Sequence, residues 1–447
     1  MSTFSNKASI SDRYLAAGGS KPPAASGLSL CLILLFLACF FLTASPVSAA
    51  DLNLQQLINE AQSNSPELQA ARYKASAAGF RVPQVESLPD PIITFGYQND
   101  GLSKYTYGKE QESQWMFTAS QAVPFPGKLS LKGKAATKEA ESLGASYEAA
   151  RLKLVSRIKE IYFDLYAAYK TIDLLGERTD LFTAIEGAAL ARYSAGKGSQ
   201  QEVLMAQTEK YMIIEKETML RQKIETLEAA LNTALGRRAN SPLGRPIDLA
   251  LTYVPDTLDE LILISVDKSP ELGSKDKMIS AAEAKLAFTK KDYIPDFIFT
   301  GGYNARGNGF NSMWSFTTGI NIPIFALSKQ LNAEKEADAS LAEARKMMES
   351  TMLAVTASIR ENYSMLKTAE RLLPLYKDGI IPKGMQDVDL SLSNYKTGTT
   401  DTLTVITRLK SVIDYEIAYW NQFSEHEKAV ARIESITGLT FGSLKSE

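Results

Sequence analysis

Three methionines spaced seven residues apart are the first candidates for chemistry in this sequence. Met205, Met212 and Met219 would share one stripe of a helix, and a thioether sulfur is a soft ligand that suits copper. Neighbouring members of such a stripe lie about 10.5 Å apart along the axis, which is too far to bind one ion together. Packing in a hydrophobic core is therefore the favoured interpretation, and we expect neither a metal site nor a cofactor.

The residue types that most enzymes use for catalysis are scarce. His426 is the single histidine, and its position between Glu425 and Glu427 predicts a solvated side chain. The two cysteines, Cys31 and Cys39, both lie in an N-terminal apolar run, so the rest of the chain has no thiol. We therefore expect no enzyme activity.

Composition and charge exclude further classes. The 447 residues are 45% hydrophobic and 22% charged, with a formal net charge of -2. This chain is long enough for one large core or two ordinary ones. It has no basic excess and no Lys/Arg-rich run, so we expect no nucleic-acid partner.

Residues 1–50 have the pattern of a leader with a signal peptide. Leu28–Leu42 is an apolar run preceded by basic residues and followed by the small residues of Val47–Ala50. A membrane anchor is the alternative, but the run is shorter than the ~20 apolar residues of a spanning helix. Lipidation at Cys39 is a second alternative, since Cys39 follows Ala38. Cleavage and export are the favoured interpretation.

The remainder of the chain repeats itself. The matching segments keep their order at an offset of 199 to 206 residues, which predicts a duplication with a first repeat at 51–250 and a second at 251–447. The clearest pairs are Ser65–Leu68 with Ser269–Leu272, Gly96–Tyr97 with Gly302–Tyr303, and Tyr193–Gly196 with Tyr395–Gly398.

Each repeat contains two segments with strand periodicity, at about 91–99 and 113–124 and at about 296–305 and 313–324. Apolar residues alternate there with small or polar ones, as in transmembrane β-barrels, although a soluble sandwich strand gives the same pattern. The residues predicted to face lipid are Phe95, Tyr97, Trp115, Phe117, Phe299, Tyr303, Trp314 and Phe316.

Long helices surround these strands. A helical stretch is predicted at roughly 51–82 and again at 255–291. It should be broken by Pro83, Pro89 and Pro91 in the first half and by Pro295 in the second. After the strands, a proline-free segment from Gly127 carries apolar residues at steps of four and three, and the second repeat has the same seam, weakened at Pro374. The predicted fold is mostly α with a small β part, two tandem copies of helix–strand–strand–long helix–turn–helix.

Four strands cannot close a barrel, and lipid does not tolerate an open sheet edge. Three copies would supply twelve strands, an even number within the range of outer-membrane barrels. The same threefold symmetry would set twelve helices in a ring. The sequence therefore predicts a homotrimer with an α-barrel and a shared 12-stranded transmembrane β-barrel, four strands per protomer.

Two related motifs at the helical turns support a family resemblance. Tyr193-x-x-Gly196 is followed by Glu202-Val203-Leu204, and Tyr395-x-x-Gly398 is followed by Thr404-Val405-Ile406. With the Ser-Pro-Glu-Leu near each repeat start, the chain resembles the TolC family of outer-membrane efflux proteins over nearly all of residues 51–440. Gln121–Lys128 is similar to the branch that includes heavy-metal efflux ducts.

The resemblance implies a passive channel in the outer membrane of a Gram-negative bacterium. The barrel would contact outer-membrane lipid, and the helices would extend into the periplasm toward a periplasmic adaptor protein and an inner-membrane pump, proton-driven in the favoured interpretation. The residues implied to contact the adaptor are Tyr193, Gly196, Glu202, Val203, Leu204, Tyr395, Gly398, Val405 and Ile406. We expect them to bury little area, with ordinary helix capping as the alternative role.

Family members often carry an acidic constriction just after the second turn. The corresponding positions here are Thr404 and Thr407, and Asp401 is the acidic residue nearby. The prediction of an acidic ring is therefore weaker for this chain than for such family members. Two other functions remain open at this stage, a trimeric duct for type I protein secretion and a non-channel periplasmic coiled-coil structural protein.

Overall fold

The computed structural model describes residues 51–442, so the predicted signal peptide at 1–50, with Cys31 and Cys39, and the end of the second repeat at 443–447 lie outside the described residues. The first half contains α1 (Leu54–Asn64), α2 (Pro66–Glu86), β1 (Ile92–Gln98), β2 (Gln114–Val123), α3 (Lys128–Ser194) and α4 (Gln200–Ala234). The second half contains α5 (Leu258–Lys268), α6 (Pro270–Lys291), β3 (Asp296–Arg306), β4 (Met313–Asn321), α7 (Gln330–Pro374), a π-helix (Leu375–Ile380), α8 (Ile381–Thr397) and α9 (Thr402–Thr437). The predicted order of elements is confirmed in both halves.

The first helical stretch of each half divides at the Ser-Pro pair. Ser65 and Ser269 both have φ -61° and ψ 119°, the extended conformation that a following proline imposes. The predicted break at Pro83 is wrong, because α2 continues through it to Glu86. A proline in a helix removes one hydrogen bond, and Pro83 lies on an exposed part of α2, three residues from its end.

The long helices pack through the predicted seam. α3 has 67 residues and therefore spans about 100 Å. Ile158, Leu165 and Ala168 of its seam are buried against the neighbouring helices, and Ile359 and Leu366 are buried in α7. α7 ends at Pro374, and a six-residue π-helix, which was not predicted, leads from it into α8.

The four strands form one antiparallel sheet in the order β1-β2-β3-β4. In the register, Phe95 pairs with Phe117, Phe117 with Tyr303, and Tyr303 with Trp314. Within the described chain, β1 and β4 are edge strands. Each observed strand lies within three residues of its predicted bounds.

A connecting segment between α4 and α5, residues 236–257, packs along α3 and is called the strap below. The Tyr162 hydroxyl joins it to the start of the chain, since it donates to the Leu52 carbonyl (3.0 Å) and accepts from the Ile247 amide (3.1 Å). Asp248 of the strap accepts from the Tyr166 hydroxyl at 3.1 Å and pairs with Lys170 at 2.7 Å. These contacts fix which side of α3 carries the strap.

None of the helices within residues 51–442 is both long enough and apolar enough to cross a membrane.

Candidate functional site: the hairpin tips and the sheet face

Each pair of long helices reverses at a short, glycine-containing turn. Gly196 follows α3 with φ +69°, and Gly398 caps α8 with φ +83°. Both values lie in the left-handed region, which side chains with a Cβ rarely adopt. The next helix of each hairpin starts with a side-chain cap, since Ser199 accepts from the Glu202 amide (3.3 Å) and Asp401 accepts from the Thr404 amide (2.8 Å).

The two tips are joined to each other by side chains from both hairpins. The Arg192 guanidinium donates to the Tyr395 carbonyl at 2.9 Å and lies 4.8 Å from the centre of the Tyr395 ring. The Thr402 hydroxyl donates to Glu202 Oε2 at 2.8 Å. Each contact bridges the two repeats, so a movement of one tip requires these groups to separate or to move together.

Ion pairs continue this connection along the helices. Lys410 of α9 pairs with Glu209 of α4 at 2.9 Å, and Arg178 of α3 pairs with Glu416 of α9 at 2.5 Å. The Arg178 and Glu416 side chains are mostly buried, which makes this pair less screened by salt than an exposed one.

The expectation that the tip residues bury little area is wrong for four of them. Val405 and Tyr395 are fully buried, Ile406 is 1% exposed and Val203 is 7% exposed. The cause is packing between the repeats, because Tyr395, Val405 and Ile406 share one hydrophobic cluster with Phe182 and other buried residues of the first hairpin. Tyr395, Val405 and Ile406 therefore hold the hairpins together, and none of the four buried side chains lines the free surface of the tip.

The apolar surface of the tip consists of other residues. Tyr193 (46%), Leu204 (54%) and Leu403 (52%) are exposed. Leu403 was not predicted, and neither were Arg192 and Thr402, which join the tips. Arg192 directly precedes the Tyr193 motif, and this position was the one indication in the sequence that it belongs to the tip. No local pattern predicts a contact between segments 200 residues apart, such as that of Thr402 with Glu202.

The predicted constriction residues lie at the start of α9. Asp401 is its N-cap, and hydrogen bonds from the hydroxyl and amide of Thr404 hold the pKa of the Asp401 carboxyl below its usual range. Thr407 is exposed, and its hydroxyl donates to the Leu403 carbonyl at 2.8 Å. Asp401 therefore carries a negative charge at neutral pH while serving as a helix cap.

The register places all eight predicted lipid-facing residues on one face of the sheet, because directly paired residues share a face and so do residues two apart along a strand. The rings of Phe95 and Trp115 stack at 5.0 Å, and Tyr97 lies 4.8 Å from Trp115. The opposite face carries mostly small and polar residues, among them Thr94, Thr118, Ser120, Thr300, Gly302, Ser315 and Thr317. It also carries four larger apolar side chains, Ile92, Met116, Ile298 and Met313.

Two other interpretations from the sequence need correction. His426 is 2% exposed and therefore not solvated, and its Nδ1 lies 2.9 Å from Glu427 Oε1. Glu427 also accepts from the amide (2.8 Å) and the hydroxyl (2.7 Å) of Thr252 in the strap. The interpretation of the methionines as core residues is wrong for Met212 (40% exposed) and Met219 (66%). No group of three His, Cys, Asp or Glu side chains within residues 51–442 is placed to hold a metal ion.

Comparison with known proteins gives two positive findings and one negative one. A model of the family described as outer membrane efflux protein matches residues 57–237 and 264–438. None of the curated proteins matches the sequence.

Several solved structures are similar to this fold. They include CusC (15% identity, TM-score 0.75, covering 87% of this chain and 92% of CusC) and VceC from Vibrio cholerae (17%, 0.74, 86% and 96%). The CmeC outer membrane channel of Campylobacter jejuni is similar at 15% identity and a TM-score of 0.75, with 87% and 86% of the two chains covered. At these identities the structural likeness concerns the fold.

Proposed function

The chain belongs to the outer membrane efflux protein family, and on this premise we propose that it is the channel component of a tripartite efflux system, a passive duct for small substrates. Its location is the outer membrane of a Gram-negative cell, with the helical part extending into the periplasm. The observation that carries the proposal is the sheet, which has one aromatic face, one face of mostly small and polar residues, and two edge strands.

The edge strands support the homotrimer. An isolated four-stranded sheet in lipid would leave the outer edges of β1 and β4 without hydrogen-bond partners, which costs several kcal/mol per buried group. If β4 of each protomer pairs with β1 of the next, three protomers form a closed barrel of twelve strands. The aromatic face then contacts lipid and the polar face lines the pore.

The tips carry the proposed contact with a periplasmic adaptor and, through it, an inner-membrane pump. Tyr193, Leu204 and Leu403 give each protomer an apolar surface at the end farthest from the sheet. Glycines at both turns leave little side-chain bulk there, which favours close approach by a partner helix. The heavy-metal branch suggested by Gln121–Lys128 stays a prediction.

The two alternative functions differ in how well they fit the structure. A periplasmic structural coiled coil does not account for a sheet whose aromatic face is exposed at Phe95 (62%), Trp314 (81%) and Phe316 (64%). A type I secretion duct would share the architecture, and the nature of the pump encoded beside this protein separates it from small-molecule efflux.

A disulfide scan tests the closed trimer. In a background with serine at Cys31 and Cys39, one cysteine replaces Thr94 on β1 and a second is moved along β4, starting at Thr317, which lies on the same face. At least one β4 position should give an oxidised ladder that ends at three copies. Thr94→Cys with Thr118→Cys is the matched control, because these residues pair within one protomer and should give a crosslinked monomer.

Monomers at every β4 position, or ladders longer than three copies, would contradict the closed trimer. Recovery of the protein in the soluble periplasm would contradict the channel itself.

A further inference from the structure

A groove of about 640 Å³ lies just beyond the sheet and has no part in the function proposed above. α3 forms its floor with Ala135 and Ala136, and α2 and α6 form its walls. Alanine side chains at these positions, and at Ala281 and Ala282 on α6, leave the space that larger residues would fill. The volume lies within the usual range of small-molecule sites, about 300–1,000 Å³.

The geometry of α3 decides which way the groove opens. Tyr162 and Tyr166 mark the side of α3 that carries the strap. At about 100° per residue, Ala135 and Glu139 lie roughly 180° and 220° around the helix from Tyr162. The groove therefore opens on the face opposite the strap. In the proposed ring of helices, with the strap on the outer side, this face lines the lumen.

The groove carries an excess of positive charge. Arg81, Lys132 and Lys285 line it together with one acid, Glu139, so three positive charges and one negative charge give a net of +2. Arg81 pairs with Glu139 at 3.4 Å. Lys132 and Lys285 form no ion pair with any acidic residue in the described part of the chain.

The apolar lining and the two lysines meet at one wall. Lys132 Nζ lies 4.8 Å above the centre of the Phe288 ring, and Met278 lines the same wall of α6. A ligand with an apolar body would cover the alanines, Met278 and the ring, while its anionic group would lie within reach of the lysines. A metal cation would find one carboxylate, already paired, and two positive charges.

We propose that this groove is a subsite within the duct for an amphipathic organic anion, a molecule with an aromatic or aliphatic body and a carboxylate or sulfonate group. The inference rests on the proposed function, because access to the groove is from the lumen. It adds a substrate class to that function. Each trimer would present three such subsites below the barrel.

Two dyes with the same ring system provide the test. 8-Anilinonaphthalene-1-sulfonate carries a sulfonate that N-phenyl-1-naphthylamine lacks. Binding of each is measured by fluorescence on the purified trimer in lipid nanodiscs, with empty nanodiscs subtracted. The variants are Lys132→Gln with Lys285→Gln, which removes the charge, and Ala282→Trp, which fills the groove.

The wild type should bind the sulfonate saturably and more tightly than the neutral dye. Removing both lysines should weaken sulfonate binding about threefold to tenfold and leave the neutral dye unchanged, since exposed charge pairs contribute modestly. Ala282→Trp should weaken both dyes. The matched control is Lys134→Gln with Lys275→Gln, which removes two charges from the same helices outside the groove and should change neither.

Equal sulfonate affinity in the wild type and the Lys132→Gln/Lys285→Gln variant would overturn the proposal, as would equal weakening by the control. Bilayer conductance of the same preparations separates the two levels of inference. If the trimer conducts ions but its affinity for the sulfonate dye does not depend on the two lysines, the subsite alone is refuted. If the protein neither trimerises nor conducts, the channel itself is refuted.

Discussion

Aspartate at Leu204 and Leu403 should abolish efflux and leave the trimer intact, whereas aspartate at Ile406 should destroy the trimer. The three residues lie close together at the tips and differ in burial, at 54%, 52% and 1% exposure. Full burial of a leucine side chain stabilises a protein by about 1.5–3 kcal/mol, so about half of that, roughly 1 kcal/mol, is lost at each exposed position.

The first turn of α9 reduces this cost further. Leu403 is the second residue of the helix, where a negative charge interacts favourably with the helix dipole by about 0.3–1 kcal/mol. Ile406 has no such compensation. Truncating a buried isoleucine costs about 2–5 kcal/mol, and an uncompensated carboxylate adds a further penalty.

The functional loss has a different physical origin. If Leu204 and Leu403 lie against the adaptor, each aspartate must lose its water on docking without gaining a partner. At about 2 kcal/mol per charge, the two substitutions weaken docking by roughly a thousandfold.

The assay compares three quantities for each variant: trimer abundance in isolated outer membranes, thermal unfolding of the purified trimer, and growth of cells in the presence of an exported substrate. Leu204→Asn with Leu403→Asn is the matched control. It removes the same apolar area without a charge, so its loss of efflux should be smaller.

Two results would refute the reasoning. Full resistance in the Leu204→Asp/Leu403→Asp variant would remove the exposed tip from the docking mechanism. A normally stable Ile406→Asp trimer would show that the cluster between the hairpins contributes little.

Two further predictions concern the sheet and the strap. Phe117→Arg should cost roughly 2–4 kcal/mol and depress trimer assembly, whereas Thr118→Arg on the opposite face should assemble and change the conductance, and equal tolerance at both positions would invalidate the orientation of the sheet. Tyr162→Phe should lower the free energy of unfolding by about 1–3 kcal/mol, because the Leu52 carbonyl and the Ile247 amide lose their partner, and an unchanged stability would contradict this role. Burial raises the pKa of Tyr162 to about 12, so its contribution is present below pH 10 and is lost as the pH rises toward 12, and unfolding of the two proteins should converge over that range.

Local periodicity determined most of the fold. Steps of three and four gave the long helices and their seam, including the buried Ile158 and Ile359, because one face of a helix repeats at that spacing. Strict alternation gave the strands and the face that Phe117 and Trp314 share, because successive side chains in a strand point to opposite sides. The duplication gave the order of elements, since both copies follow one plan.

The interruptions of the helices were predicted less well. Ser65 precedes a proline and Pro83 is one, so both positions should disfavour a helix. α2 nevertheless begins directly after Ser65 and continues through Pro83. A proline weakens a helix by about 3 kcal/mol in an interior turn, but packing of the remaining turns can offset this where the residue is exposed. The strength of that packing is a property of the neighbouring helices.

Which residues are buried at the tips and near the strap was decided by the tertiary structure alone. Val405, Ile406 and Tyr395 were expected at the surface because they lie beside a turn, but the first hairpin packs over them. His426 lies between two glutamates and is nevertheless buried, and so is Glu427, which accepts hydrogen bonds from the strap.

The sequence by itself determined which residues share a face of a helix or strand, because that depends on the backbone repeat. Only the tertiary structure decided what covers each face. Contacts such as Arg192 with Tyr395 and Thr402 with Glu202 join segments about 200 residues apart. The groove likewise exists because α2 and α6 flank the alanines of α3. Burial at such places depends on which elements meet, and residues distant in the chain determine that.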